Sequence, residues 1–108
     1  MTNFRSVSDA MQFSAEKMKK NGLFETERMI CDVYCFEPGQ SQSPHTHEGS
    51  DKVYFVLRGK GKFQVGGEEK DLAESDIALA SSGQRHGVSN PGPERLVVLV
   101  FVTPKPSH

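Results

Sequence analysis

The feature that most constrains the fold is a series of short runs rich in β-branched and aromatic residues, each bounded by glycine or proline. The runs cover residues 28–36, 52–57, 62–65, 77–80 and 96–102. Turn residues separate them at intervals of roughly eight to twelve residues, and no segment between them has the length and periodicity of a crossover helix. In a chain of 108 residues, this pattern predicts one all-β domain, a sandwich or a barrel.

The two ends of the chain give weaker signals. Residues 1–27 are predicted to be an N-terminal extension or edge strands, ahead of a barrel over residues 28–103. Within 8–24, the sequence is compatible with a short helix beginning near Ser8 or with a strand pair turning at Asn21 and Gly22. Residues 104–108 are predicted to be a flexible tail, so His108 is not expected to take part in a site.

Composition argues against several classes of partner. Thirteen basic and fourteen acidic residues give a formal charge of −1, and no lysine or arginine block indicates nucleic-acid binding. We find neither a signal-peptide pattern nor an apolar run approaching the eighteen or so residues of a spanning helix, so we expect a cytoplasmic protein with no membrane partner. Cys31 and Cys35 lie four apart in an apolar run, which indicates buried free thiols.

Three histidines are candidate metal ligands. On a strand, His45 and His47 would leave the same face with Cα atoms about 6.5 to 7 Å apart, which allows both imidazoles to reach one ion. A third ligand must come from elsewhere, and His86 lies between Gly83 and Gly87, where glycine permits tight turns. An isolated H-x-H pattern is by itself a weak signal, so the neighbouring residues decide its interpretation.

Those neighbours resemble the first motif of the cupin superfamily, which is G, five residues, H-x-H, three or four residues, E, six residues, G. Gly39, His45, His47 and Gly59 fit this spacing. Counting back from Gly59, the position of the glutamate is occupied by Lys52. The chain therefore departs from the family at the residue that usually supplies a fourth ligand.

The second cupin motif is G, five residues, P-x-G, two residues, H, three residues, N. Gly83, His86 and Asn90 are in step with it, whereas Ser75 and Ser81 replace its first glycine and its proline. Two motifs in register are far more specific than either alone. The resemblance implies a double-stranded β-helix, or jelly-roll, barrel, and it implies that the three histidines are metal ligands.

Three interpretations of Lys52 remain open at this stage. Its stem can pack in the barrel wall with the amine paired to Glu48, Asp51 or another acid. Alternatively, the amine captures an anionic substrate beside the metal, or it acts as a general base with a pKa lowered by burial. Counting forward from His47 would instead align Asp51 with the family's glutamate. Alternation turns the Asp51 side chain to the opposite face, so we prefer the alignment that places Lys52 there.

Two further side chains near the predicted site are candidates for a role in binding. Tyr54 shares the face of Lys52 by alternation and is a candidate for a pocket-lining hydrogen-bond donor, although an ordinary core tyrosine is the simpler interpretation. Arg85 precedes His86 at the barrel mouth, where a solvated rim arginine is the simpler interpretation. We therefore name Lys52 and Tyr54 as the candidate catalytic residues.

The predicted cofactor is a divalent transition metal, with zinc, iron, nickel and copper all compatible with imidazole ligands. The first functional hypothesis is a metal-dependent enzyme of oxygenase or isomerase type that acts on a small polar or anionic molecule. The alternative is a non-catalytic cupin that binds a small ligand or sugar with a degenerate or empty metal site. Exposed sheet edges also predict a homodimer.

Overall fold

The computed structural model describes residues 2–106, which form one short 3-10 helix and nine β-strands. The 3-10 helix is Val7–Ala10. The strands are β1 Lys19–Glu25, β2 Ile30–Phe36, β3 Ser41–His45, β4 Asp51–Arg58, β5 Lys60–Val65, β6 Glu68–Ala73, β7 Ile77–Ala80, β8 His86–Ser89 and β9 Leu96–Thr103. The end of the predicted tail, including His108, lies outside the described residues.

The strands form two antiparallel sheets that enclose the core. One sheet has five strands in the order β1-β2-β9-β4-β7, and the other has four in the order β3-β8-β5-β6. Strands distant in sequence are therefore neighbours in space, as β2 with β9 and β3 with β8. This arrangement confirms the predicted all-β, double-stranded β-helix fold.

The inner core fills one end of the barrel with apolar side chains from both sheets. The five-stranded sheet contributes Phe36, Val56 and Val98, and the four-stranded sheet contributes Phe63 and Leu72. Each of these is at most 7% exposed. Burying a side chain of this size contributes about 1.5 to 3 kcal/mol, so this end of the barrel supplies the rigid frame for the polar residues at the other end.

A second apolar layer covers part of the outer face of the five-stranded sheet. Cys31, Val33 and Cys35 point outward from β2, and the segment around the 3-10 helix packs over them through residues that include Met11 and Phe13. Both cysteines are free and buried, as predicted. Burial raises the pKa of each thiol, which keeps both in the uncharged form.

The two predictions made for residues 8–24 have different outcomes. The 3-10 helix Val7–Ala10 supports the predicted helical turn near Ser8. The alternative turn at Asn21 and Gly22 is wrong, because β1 continues through these residues and pairs with β2 on both sides of a register shift between Gly22 and Phe24. The Asn21 side-chain amide donates instead to the Gln12 carbonyl at 3.0 Å, and burial of Leu23 favours the continuous strand.

A turn at Pro38 and Gly39 follows β2, and a hydrogen bond joins it to Asn90 of the second motif. Gly39 adopts a φ of +88°, a conformation that glycine tolerates at little cost. Its N–H donates to the Asn90 carbonyl at 2.7 Å. The buried Asn90 side chain donates to the carbonyls of Phe36 and Glu94 at 3.2 and 2.8 Å and accepts from the Gly92 N–H at 2.9 Å. Asn90 thus joins two turns at the apolar end of the barrel.

Candidate metal centre

The three histidines converge at the end of the barrel opposite Asn90. His45 is the last residue of β3 and His86 is the first of β8, and the two are direct partners across the antiparallel ladder. β3 ends at His45, and His47 lies in the loop that follows. The two-residue alternation of a strand, which would place His45 and His47 on one face, therefore does not apply to this pair. One ligand nitrogen from each ring lies within 4.8 Å of the others. The three histidines are therefore close together as predicted, although His47 reaches the cluster from a loop and not from a strand.

Backbone contacts hold the loop that carries His47 against the loop that precedes His86. The Gly83 N–H donates to the His47 carbonyl at 2.9 Å, and the Gly49 N–H donates to the Ser82 hydroxyl at 2.7 Å. Gly83 has a φ of +84°, a region that strains other residues. The Asp51 carboxylate accepts from the Ser82 N–H at 3.0 Å, which gives Asp51 a structural role away from the cluster.

Hydrogen bonding fixes the tautomer of two of the histidines. Nδ1 of His45 lies 3.0 Å from the Ser43 carbonyl, and Nδ1 of His86 lies 2.9 Å from the Gln84 carbonyl. Because a carbonyl oxygen only accepts, each Nδ1 carries the proton and each Nε2 presents a lone pair. This is the arrangement in which a histidine is held ready to bind a metal.

Burial supports the same conclusion. His86 is 2% exposed, and within residues 2–106 its Nε2 has no hydrogen-bond partner. A buried polar atom without a partner costs about 1 to 3 kcal/mol, and a metal ion would satisfy it. Burial also lowers the pKa of His86 to about 4 and lowers the pKa of His45. Both imidazoles are therefore neutral near pH 7, and these residues fit a divalent ion.

Lys52 points into the barrel from β4 and is 4% exposed. Its Nζ lies 5.0 Å from the centre of the Tyr34 ring and 5.3 Å from that of Tyr54. Within the described part of the chain, no ion pair joins Lys52 to Glu48 or Asp51, so the amine is stacked on aromatic rings rather than paired with either acid. Burial, reinforced by the charge of Lys20, lowers the pKa of Lys52 to about 7.

Tyr54 connects Lys52 to the histidine cluster. Its ring centre lies 6.2 Å from that of His86, and its buried hydroxyl donates to Oε1 of Gln42 at 3.1 Å. Burial raises the pKa of Tyr54 well above its ordinary value, so the phenol is protonated and serves as a donor. Arg85, by contrast, is exposed at the barrel mouth, in line with a solvated rim residue.

Sequence reasoning missed three residues of this polar region. Gln42 projects from β3 and is 7% exposed, while Asp32 and Tyr34 project inward from β2. The available signal was alternation along β2, which places Asp32 and Tyr34 opposite the face that carries the cysteines. Three imidazoles, two tyrosines, a lysine, a carboxylate and an amide thus surround the barrel's polar end.

Comparison with known proteins gives a consistent result. The family model described as "Cupin domain" matches residues 32–102. A crystal structure of a Thermus thermophilus protein superimposes with a TM-score of 0.94 at 40% identity, covering 97% of this chain and all of that one. A Klebsiella pneumoniae protein with a double-stranded beta-helix domain gives a TM-score of 0.89 at 28% identity, with 96% and 91% covered.

A curated relative adds chemical information. The "Oxalate-binding protein" of Thermotoga maritima is 32% identical over 88 residues, which cover 82% of this chain and 72% of the relative. Within residues 2–106, no helix has the length and hydropathy needed to cross a bilayer.

Proposed function

Because the chain belongs to the cupin family, we propose that it binds one divalent transition-metal ion through His45, His47 and His86 and uses it to hold a small carboxylate. The observation that carries this proposal is the buried, unpartnered Nε2 of His86, whose Nδ1 is fixed by the Gln84 carbonyl. Zinc, iron, nickel and copper all accept imidazole ligands. With three protein ligands, such an ion keeps an open position for water or substrate.

The carboxylate is proposed on two grounds. The Thermotoga maritima relative is named for oxalate binding, and Lys52 replaces the acid that the cupin motif usually carries. Imidazoles that bind a metal carry no negative charge, and neither does a lysine, so these four side chains leave the positive charge of the ion uncompensated and an anionic ligand is electrostatically favoured. We assign Lys52 to direct contact with the substrate through its amine and Tyr54 to positioning Gln42 beside it.

Of the two hypotheses on activity, we propose the enzyme first, with oxygenase or isomerase chemistry at the open metal position. When bound, the metal would supply Lewis acidity there. The non-catalytic alternative is favoured by one observation, the name of the Thermotoga maritima relative, which specifies binding and no reaction. Fold alone does not distinguish them, because cupin barrels support both kinds of function.

Elemental analysis of protein purified without an affinity tag tests the metal site. We expect near-stoichiometric metal in the wild type and its loss in His47→Ala. Thr46→Ala changes an exposed residue between the two histidines and provides a matched control that should keep the metal. Metal found only in a Lys52→Glu variant would contradict the enzyme proposal and favour a metal-free binder.

A homodimer and a cytoplasmic location remain predictions, and one surface supports the first. Ile77 and Leu79 on β7 are 63% and 55% exposed. On the neighbouring strand β4, Phe55 is the partner of Ile77 and Val53 is the partner of Leu79, on the same outer face. An exposed apolar strip of this kind is typical of a protein interface. We propose that two copies of the chain pack these strips together.

A further inference from the structure

The polar end of the barrel contains a second group of charged residues, separate from the histidines. Lys20 on β1 and Lys52 on β4 both approach the ring of Tyr34, with Nζ to ring-centre distances of 5.2 and 5.0 Å. Asp32 lies close enough to both lysines for their charges to act on its carboxyl group. Two cations and one anion give this group a net charge of +1 when all three are ionised.

Such an excess is costly where it is buried. Lys52 is 4% exposed, and transferring an unpaired ammonium out of water is strongly unfavourable. Aromatic rings compensate only part of that cost. An anion brought into the barrel would restore the charge balance and stabilise the charged form of Lys52.

A hydrogen-bond donor is available for the same anion. Nε2 of Gln42 is buried and has no partner within hydrogen-bond distance among residues 2–106, although the Gln42 side chain lies close enough to the Tyr34 phenol to lower its pKa. Oε1 of the same side chain accepts from the Tyr54 hydroxyl. With Oε1 accepting from Tyr54, the group of the amide that remains is an N–H donor. A carboxylate accepts such a donor and pairs with an ammonium, whereas a cation or an apolar group satisfies neither.

From this geometry we infer that Lys52 and Gln42, with Lys20 at the entrance, form an anion subsite facing the three-histidine cluster, and that the natural ligand is a small two-ended anion such as a dicarboxylate. Tyr54 lies between the two sites, since its ring approaches both the His86 ring and Lys52 Nζ. One end of the ligand would bind at the metal and the other at Lys52. The inference rests on the proposed function, because the first of these ends requires the metal.

Isothermal titration calorimetry on the zinc-loaded full chain tests the subsite, with acetate, oxalate, malonate and succinate as probes. We expect at least one dicarboxylate to bind tenfold or more tightly than acetate. In Lys52→Met this preference should fall to less than about threefold, while acetate binding stays within about twofold of wild type. Lys60→Met changes an exposed lysine and should keep the full preference. Zinc content is measured after each titration to exclude extraction of the metal by the probe.

A second variant tests the donor without removing a charged stem. Gln42→Glu keeps the shape and the acceptor for Tyr54 but replaces the free N–H with a negative oxygen, so it should weaken dicarboxylate binding at least tenfold. Equal affinity for acetate and every dicarboxylate in the wild type would overturn the inference, as would an unchanged preference in both variants.

The same titrations distinguish failure of the two-ended ligand from failure of the proposed metal site. If zinc binds but no dicarboxylate preference exists, the metal site stands and the two-ended ligand is wrong. If the chain takes up no zinc, the proposed function and the two-ended ligand are both wrong, and Lys52-dependent acetate binding by the metal-free protein would support the anion subsite alone.

Discussion

Replacing Lys52 with methionine should stabilise the metal-free protein, and the gain should disappear as pH rises. The pKa of Lys52 is about 7 in the folded chain, against an ordinary value of 10.5. Between these pH values the unfolded chain binds more protons at this position than the folded one, so wild-type stability rises with pH. Below pH 7 both states are protonated, and the destabilisation is complete.

The magnitude follows from the two pKa values. Their difference of about 3.5, at about 1.4 kcal/mol per unit, corresponds to at most about 5 kcal/mol. Methionine removes the charge but also the contacts with two aromatic rings, which are worth about 1 to 2 kcal/mol together. We therefore expect Lys52→Met to be more stable than wild type by about 3 kcal/mol at pH 6 and by nothing, or to be slightly less stable, above pH 10.

Urea unfolding in the presence of a chelator, at intervals between pH 6 and pH 10.5, measures this difference. The raised pKa values of Cys31 and Cys35 act in the opposite sense, because the unfolded chain loses thiol protons first above pH 9, but they affect both proteins equally. Lys60→Met should follow wild type at every pH. A difference between Lys52→Met and wild type that stays constant from pH 6 to 10.5 would refute the reasoning.

Two further predictions concern the frame and the assembly. Asn90→Ala removes a buried side chain that makes three hydrogen bonds and should lower the free energy of unfolding by about 2 to 4 kcal/mol. A loss below about 0.5 kcal/mol in urea unfolding would contradict the role assigned to Asn90. Leu79→Lys should convert a homodimer into a monomer in size-exclusion chromatography with light scattering, because it places charge within the proposed apolar interface. A wild type that is monomeric at all concentrations tested would contradict the dimer.

The sequence was most informative where side-chain spacing and turn chemistry agreed. The motif residues located His45, His47 and His86, and alternation along β4 correctly turned Lys52 and Tyr54 inward. By contrast, β2 is buried on both faces, between the inner core and the N-terminal segment. Alternation along β2 separates Asp32 and Tyr34 from the cysteines, but because both faces are buried it could not decide which face lines the polar region.

Strands β1, β3 and β6 give only weak signals in the sequence, because their stability comes from pairing and not from their own composition. Most residues of β6 are charged and exposed, and Leu72 is its one fully buried side chain. β3 contains Pro44, which is tolerated because β3 lies at the edge of its sheet. In β1 the Asn21 and Gly22 pair imitates a hairpin signal, and only the presence of β2 alongside decides against a turn.

The outer layer over Cys31 and Cys35 makes these thiols an internal reporter of local opening. They lie beneath the N-terminal segment on the outer face of the sheet, away from the histidines. Their protonated, shielded state means that a thiol reagent reacts only when the N-terminal segment detaches. The labelling rate therefore measures the free energy that holds the segment in place. Because β2 supplies Asp32 and Tyr34 from its other face, a ligand that stiffens the polar end should also slow thiol labelling, through one shared strand.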